Sequence, residues 1–503
     1  MHIWPYDPCL RDESNDLVEQ SDSRLRADVE KSIGLPSEVT DYLRKMMPGR
    51  RIVLPQDATL YDKARKTFNA RYDGLFPGAV VYCAQDQDIG VCIEAATKFN
   101  VPFRIRTSGH SFGGSSSLMG GIVVDISAMR SIRMLPRQEI YVEAGCNMEM
   151  LQRNLSLSNH QLPTGGAPVG VGGFMQGGGF SNATSRSLGM NCDNVTGIWM
   201  MLADKSITHA SECLNHDLWW AVRGGTGGNF GVLLAATYRL HPARESRRWS
   251  CSLTISSSAD HAVAIAALSM LQDIVLATGP EFNASVDIRY WSRHAGGTPE
   301  VLRMYVWGNY YGCETELEKV IHPLKKLLSG GAFDFLQHNK RLPLLRKARL
   351  TSALDKQDWT SLVADYVEHC NIHSTLTIDV WGGAINTYPI ESSAFIHRDA
   401  IFNIYVTGFW NDEDEELKLR SYLDRWDHAL QPVWTGGIYQ NFADPDATDY
   451  TRQYWGKAYA ALAACKQKFD PSNLFKTSQG VVASTRPVTW PPKVARCLGQ
   501  PIQ

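Results

Sequence analysis

Short apolar runs separated by polar turns dominate the first half of the chain, with amphipathic segments between them. Ala79 to Ala84 is an apolar run followed by Asp86 and Asp88, acids suited to a helix start. Ile89, Cys92, Ile93, Ala96 and Phe99 then recur on one face at helical spacing. The pattern predicts further strands at Phe103 to Arg106, Ile122 to Ile126, Ile140 to Glu143 and Thr196 to Leu202, and a helix near Met148 to Leu157. From Arg244 to Leu430 the texture changes: glycines thin out and segments such as Leu302 to Tyr310 and Thr375 to Trp381 alternate. That reads as an antiparallel sheet with helices on one side. Helical periodicity returns at Tyr450 to Phe469 and stops at Asp470-Pro471. A polar lead-in carries a helix expected over Ser21 to Ile33.

Glycine is concentrated in places that a linker does not explain. Gly165, Gly166, Gly170, Gly172, Gly173, Gly177, Gly178 and Gly179 are interleaved with Val169, Val171, Phe174, Met175 and Phe180. A flexible linker would be mostly glycine and serine. Apolar residues at this density point instead to a packed segment whose backbone approaches a ligand. A second cluster runs from Arg223 to Gly231. Neither is a dinucleotide fingerprint: the third required glycine falls on Met175 in one and on Phe230 in the other. Upstream, Arg106-Thr107-Ser108-Gly109-His110-Ser111 follows a strand and turns on small residues, so its backbone N–H groups can form a nest for phosphate. His110 would sit at the tip, where a flat aromatic cofactor can lie. An ordinary Gly/Ser turn with an exposed histidine is the competing reading.

With 503 residues, two domains are the expectation. A net charge of −2 gives no reason to expect nucleic acid or an anionic membrane as partner. The acidic cluster Asp412 to Glu416 suits a solvated helix start. No stretch is read as approaching bilayer length, and Met1 to Glu30 lacks the apolar core of a secretion signal. The 11 cysteines lack CxxC pairing, so reduced thiols, no metal site and a cytoplasmic location are expected.

Several signals occur in order. They are Arg106…Gly109-His110-Ser111 with Val123-Val124-Asp125; Val169-Gly170-Val171-Gly172-Gly173…Gly177-Gly178-Gly179; Asp193-Asn194-Val195; Asp217 to Gly225 with Gly228 to Gly231; Tyr439-Gln440-Asn441; and Lys466…Asp470 to Phe475…Gln479. On these motifs the chain, from about Pro55 to Val481, resembles the berberine-bridge-enzyme-like flavin oxidases of the vanillyl-alcohol-oxidase superfamily. The resemblance implies an α+β fold: a PCMH-type FAD-binding domain of two α/β subdomains with an inserted antiparallel-sheet-plus-helices substrate domain. The expected organisation is an extension over 1–50, the FAD-binding domain over 51–243, the substrate domain over 244–430, a return to the FAD domain over 431–485, and a tail over 486–503.

The resemblance also implies FAD bonded covalently to His110. Many members use a second tether, a cysteine, at the position that is Gly166 here, so attachment through His110 only is expected, with a wider cleft and a less oxidising flavin. Cofactor contacts would come from Arg106, Thr107, Ser108, Gly109, Ser111, Val169, Gly170, Gly172, Gly173, Gly177, Gly178 and Val232. Asn441 and Gln479 would bond the flavin edge or the residues around it.

For chemistry, the family places the tyrosine matching Tyr439 over the flavin, which makes it the first candidate base; an unperturbed phenol is a poor base at neutral pH and needs help to ionise. A core tyrosine is the alternative. Asp379, on an alternating strand, is the second candidate, against a solvent-facing strand acid. Tyr405 stands where alkaloid-oxidising members keep a glutamate base. His397 and Arg398 read as structural. The expected activity is oxidation of an alcohol or related C–H centre of a small molecule in secondary metabolism, with O2 as acceptor and H2O2 as product. Oxidative cyclisation, desaturation, flavin-N5-oxide monooxygenation and a non-redox cyclase remain alternatives, as do monomer and homodimer.

Overall fold

A computed structural model describes residues 33–291, 301–328 and 341–486. The helix expected over Ser21 to Ile33 lies outside the described residues except for Ile33, and so does the tail beyond Arg486.

Strands β1 (Ile52–Val53), β2 (Ala79–Tyr82), β3 (Phe103–Arg106) and β4 (Ile122–Asp125) form a sheet in the order β1-β2-β4-β3. The last three run parallel, with the helix Asp86–Lys98 crossing between β2 and β3. Every residue of β4 is buried, as a central parallel strand covered on both faces requires. A second sheet takes β5 (Ile132–Leu135), β6 (Glu139–Glu143), β8 (Val195–Met201), β9 (Ile207–Ser211) and β10 (Val232–Arg239), antiparallel in the order β5-β6-β10-β8-β9; β7 (His160–Gln161) and β11 (His241–Pro242) make a small ribbon beside it. One apolar core joins these sheets.

The third sheet is antiparallel throughout: β12 (Arg247–Ile255), β13 (Phe282–Trp291), β14 (Val301–Tyr310), β15 (Leu344–Thr351), β16 (Thr375–Val380) and β17 (Phe402–Phe409), ordered β12-β14-β13-β16-β17-β15. Its two faces differ in kind. Val286, Ile288, Leu376, Ile378, Ile404 and Val406 enter a second core beneath the helices Ser258–Ala277, Lys356–His369 and Glu413–Ala429. The alternate residues Ser285, Asp287, Thr377, Asp379, Asn403, Tyr405 and Arg346 lie on the opposite face, as the two-residue period of a strand dictates. Asp412 caps its helix by accepting the Glu415 N–H at 2.9 Å, and four acids fill the first turn, as the sequence suggested.

Three expectations need correction. The helix Ser258–Ala277 is 20 residues long and, at a mean hydropathy of 1.4, long and apolar enough to cross a membrane, although no such stretch was anticipated. Its apolar excess has a local cause, because Ala264, Ala267, Leu268 and Leu271 pack into the second core. Cys213 is disulfide-bonded, so the thiols are not all reduced and that support for a cytoplasmic location is gone. The C-terminal periodic segment divides into Tyr450–Trp455 and Tyr459–Phe469, because Gly456 adopts φ +46° between them.

The C-terminal segment is tied to the first core by buried polar bonds. Lys466 Nζ, fully buried, donates to Asn229 O at 2.6 Å and pairs with Asp470 at 2.5 Å. Gly224 O accepts from Trp455 Nε1 at 3.0 Å and Gln440 Nε2 at 3.3 Å. Gly224 has φ +113°, and a Cβ there would collide with the backbone of Phe395. Gly224→Ala is therefore expected to lower unfolding free energy by about 1–3 kcal/mol in urea melts; an unchanged midpoint would contradict this packing account.

Candidate active site

β3 ends in a turn of small residues whose conformation only glycine takes readily, with Gly109 at φ +71°. The N–H groups of Ser108, Gly109, His110 and Ser111 donate to no acceptor among the described residues. Beside them the glycine run closes in: Gly170 N donates to Ser108 Oγ at 2.7 Å, and a Cβ on Gly170 would collide with Thr107 Oγ1. Gly172 sits against Ala144, whereas a Cβ at Gly173 would meet nothing within 4 Å, so the cradle is open on that side. The buried hydroxyls of Ser116 and Ser117, in the loop after His110, have no partner among the described residues. Unpaired donors around a side-chain-free cradle fit a polar, phosphate-bearing cofactor.

His110 is half-buried and stacks on Phe68 with ring centres 5.0 Å apart and planes 10° apart. Its Nδ1 lies 3.0 Å from both Ser108 O and Ser108 Oγ. Burial pushes the imidazole pKa down to about 4, against the opposing effect of the Ser108 carbonyl, so the ring is neutral near pH 7.

Not every expected cofactor contact faces this cradle. Arg106 is buried in an ion pair with Asp125 at 2.6 Å that ties the ends of β3 and β4 together. Val232 is buried at the start of β10, paired with Met201, and offers only apolar wall. Ser111 bonds Ser115 Oγ at 2.8 Å. Gln479 is spent on Asp444 O at 2.7 Å and on Tyr454. Asn441 donates to Phe174 O at 2.8 Å, and a Cβ on Gly177 would collide with it. Thus the amide groups of Asn441 and Gln479 are bonded to neighbouring protein groups, Asn441 to the glycine-rich segment and Gln479 within the C-terminal segment. The Cys146 carbonyl accepts the Val171 N–H at 2.8 Å, but its thiol turns to Ser131 O, and the Cys192 thiol turns to Asp193; burial pushes both thiols up.

Tyr439 belongs to the packing rather than to an open cleft. Its oxygen accepts the N–H groups of Gly179 at 3.1 Å and Phe180 at 2.8 Å, and Asn441 Nδ2 at 3.0 Å. Its ring lies among Trp381, Phe395 and Phe442. The glycine run turns here with Gly178 at φ +107° and Gly179 at φ +81°, which aims two N–H groups inward that need an acceptor. The first candidate base thus has its oxygen engaged by two backbone N–H groups and an amide, and burial raises its pKa, the direction opposite to the help in ionising that a phenol base needs.

The polar sheet face supplies what Tyr439 does not. Asp379 is 1% exposed, so it is not a solvent-facing strand acid. Its Oδ1 accepts Asn182 Nδ2 at 2.8 Å and Ser285 Oγ at 3.0 Å, while Oδ2 accepts no bond among the described residues. Burial raises its pKa to about 7; Asp287 adds to the rise, and Ser285, Arg346 and Asn182 oppose it. Asp287 in turn accepts Thr377 Oγ1 at 2.8 Å and Trp307 Nε1 at 3.2 Å. Tyr405, one step along β17 from the Asn403 that pairs with Asp379, is buried edge-to-face on Phe442 at 4.9 Å. Burial first, then Asp379 and Asp287, hold its pKa well above the usual phenol value, while Arg346 opposes them. Sequence reading passed over Arg346, Asp287, Asn182 and Phe442. The signal for Arg346 was present: Arg346, Lys347 and Arg349 interrupt an otherwise apolar strand. Arg398 pairs with both Asp193 oxygens at 2.7 and 2.8 Å, and His397 is buried beside it with Nε2 unpartnered among the described residues.

A raised carboxyl pKa opposes stability as pH rises. Between about pH 4 and 7 the unfolded Asp379 ionises while the folded one stays protonated, so stability falls across that window and levels above it. Asp379→Asn removes the penalty, so the melting temperature of the variant relative to the parent is expected to climb from pH 4 to 7. A constant difference across that range would refute the buried-acid assignment.

Two family models match the chain. One, described as an FAD binding domain, covers residues 77–211, and one described as berberine and berberine like covers residues 438–482. An uncharacterized FAD-linked oxidoreductase of Bacillus subtilis, YvdP, is 27% identical over 457 residues, spanning 84% of this chain and 96% of that protein. The glucooligosaccharide oxidase of Sarocladium strictum is 24% identical over 503 residues, spanning 86% of this chain and 92% of that protein. Among solved structures, berberine bridge enzyme from Eschscholzia californica superposes with a TM-score of 0.75 at 18% identity, covering 89% of this chain and 99% of that one.

Proposed function

Because this chain carries the FAD-binding and berberine-like domains of the berberine-bridge-enzyme-like FAD-linked oxidoreductases and is itself an FAD-dependent oxidoreductase, we propose that it oxidises a carbon bearing a hydroxyl group in a small molecule, with Asp379 as the base and O2 as the electron acceptor. The observation that carries this reading is a buried carboxyl group, one oxygen open, whose pKa of about 7 suits proton transfer near neutrality. The name of the glucooligosaccharide oxidase relative supports a hydroxyl-bearing substrate.

The cofactor fits the residues present. The unpaired N–H groups from Ser108 to Ser111 and the open side of the glycine run would hold its phosphates, and His110 would hold its ring system. A neutral imidazole would keep a lone pair for a bond to the flavin, and Gly166 stands at the position of the second tether, so the proposed attachment is through His110 alone. When bound, FAD would supply the hydride acceptor, and O2 would take its electrons to give H2O2.

The chain's own residues do the rest. Asn182 and Ser285 fix one oxygen of Asp379, leaving Oδ2 to take the substrate hydroxyl proton. Tyr405, on the same sheet face as Asp379, packs edge-to-face on Phe442, and the two rings would line the cleft. Asn182 comes from the glycine-rich side and Ser285 from the sheet, so the base is in position only when the two are docked.

Two measurements test this. Acid-precipitated protein is expected to stay yellow, and His110→Ala to release its flavin to the supernatant; a colourless pellet from the parent would end the covalent proposal. For the base, Asp379→Asn is expected to slow flavin reduction by about 10²–10⁴-fold and to abolish an acid limb near pH 7 in kcat/KM. H2O2 release at the parent rate from Asp379→Asn would remove Asp379 from the mechanism.

A further inference from the structure

Among the described residues, each buried arginine and lysine other than Arg346 meets a carboxylate or several carbonyl oxygens, Arg186 through the carbonyls of Phe282 and Trp381. Arg106 meets Asp125 at 2.6 Å, Arg398 meets Asp193 at 2.7 Å, and Lys466 meets Asp470 at 2.5 Å. On β15 itself, Lys347 meets Asp424 at 2.8 Å and Arg349 meets Asp444 at 3.3 Å. Arg223, fully buried, donates to backbone carbonyls and the Tyr388 hydroxyl. Arg346 has nothing of this kind. Its Nε donates to Thr407 Oγ1 at 2.8 Å, and its two Nη groups donate to no acceptor among the described residues.

The guanidinium is nonetheless held firmly. Its Cζ lies 4.0 Å from the ring centre of Phe112, 4.3 Å from that of Phe442 and 4.5 Å from that of Tyr405. Three aromatic faces stabilise the charge and fix its orientation, but they accept no N–H. The acids nearest in the electrostatic sense, Asp379 and Asp287, are engaged: Asp287 through both oxygens, Asp379 through Oδ1. Arg346 is 8% exposed, so bulk water is a poor substitute partner. Tyr405 and Asp379 lie on adjacent strands and on the same face of the sheet as Arg346, and both act electrostatically on its guanidinium, so the open N–H groups and the open carboxyl oxygen belong to one polar face.

We propose that Arg346 selects substrates bearing a carboxylate, so that the molecule oxidised beside Asp379 is a hydroxy acid whose anionic end is received by the guanidinium within the Phe112, Tyr405 and Phe442 box. A fixed guanidinium presents parallel N–H groups that match a carboxylate in bidentate fashion. Aromatic walls favour a flat or apolar body next to that group. The proposal rests on the reading of the polar sheet face as the substrate cleft, and it adds the substrate class.

The probes are benzoate and its neutral isostere benzamide, titrated into the oxidised holoenzyme and followed by flavin absorbance and calorimetry. Benzoate is expected to bind about tenfold or more tighter than benzamide, Arg346→Met to erase the difference, and Arg346→Lys to keep part of it. Equal binding of the two probes by the parent, or an undiminished preference in Arg346→Met, overturns the proposal. The parent comparison needs no variant, so it decides the matter even where Arg346→Met does not accumulate. Asp379→Asn separates the two claims. Benzoate preference dependent on Arg346 with turnover indifferent to Asp379 supports the anion site and sinks the base assignment, whereas turnover dependent on Asp379 with no benzoate preference does the reverse.

Discussion

The glycine run from Gly165 to Gly179 must lie against several other segments at once, and the rest of the site is arranged around that demand. Side chains added along it would strike Phe174, Thr107, Ala144, Asn441, Phe395 and Asn191 in turn. Phe174 belongs to the run itself, and the others come from the His110 turn, the end of β6, the turn before β8, the C-terminal segment and the connection before β17. Close approach of main chain to main chain leaves N–H groups that must find acceptors. Ser108 Oγ and the Tyr439 oxygen supply two of these, and the N–H groups left over lie where the cofactor fits.

The clamp at Tyr439 explains why the chain has to come back. A segment more than 250 residues further on supplies the hydroxyl for Gly179 and Phe180, and Lys466 closes on Asn229 from the same side. The cradle is thus completed by parts of the chain that meet only in the folded state. Its geometry is tied to global packing rather than to a local loop, which suits a site that must hold reacting groups to within a fraction of an ångström.

Facing the cradle, one sheet carries two environments. The apolar face anchors the helices, and the polar face buries the Asp379 carboxyl group, a phenol and a caged guanidinium, with Asp287 half-buried beside them. Burying so many polar groups is costly unless each is bonded or neutral. Asn182, Ser285, Thr377 and Trp307 bond the carboxyl groups, while Asp379 Oδ2, the Arg346 Nη groups and both polar atoms of the Asn403 side chain have no partner among the described residues.

Periodicity and motif order in the chain already specified the strands β2, β3, β4 and β16, the helix start at Asp412, the cradle glycines and His110, because those signals are local: residue spacing, caps and backbone freedom. Motif order likewise carried the flavin-oxidoreductase resemblance. Tertiary structure alone turned Tyr439 toward the backbone, buried Asp379 and raised its pKa, and left Arg346 without an anion. Those outcomes depend on which groups from distant segments share a low-dielectric space. A hydrogen bond across 197 residues, such as Asn182 to Asp379, leaves no trace in spacing or composition.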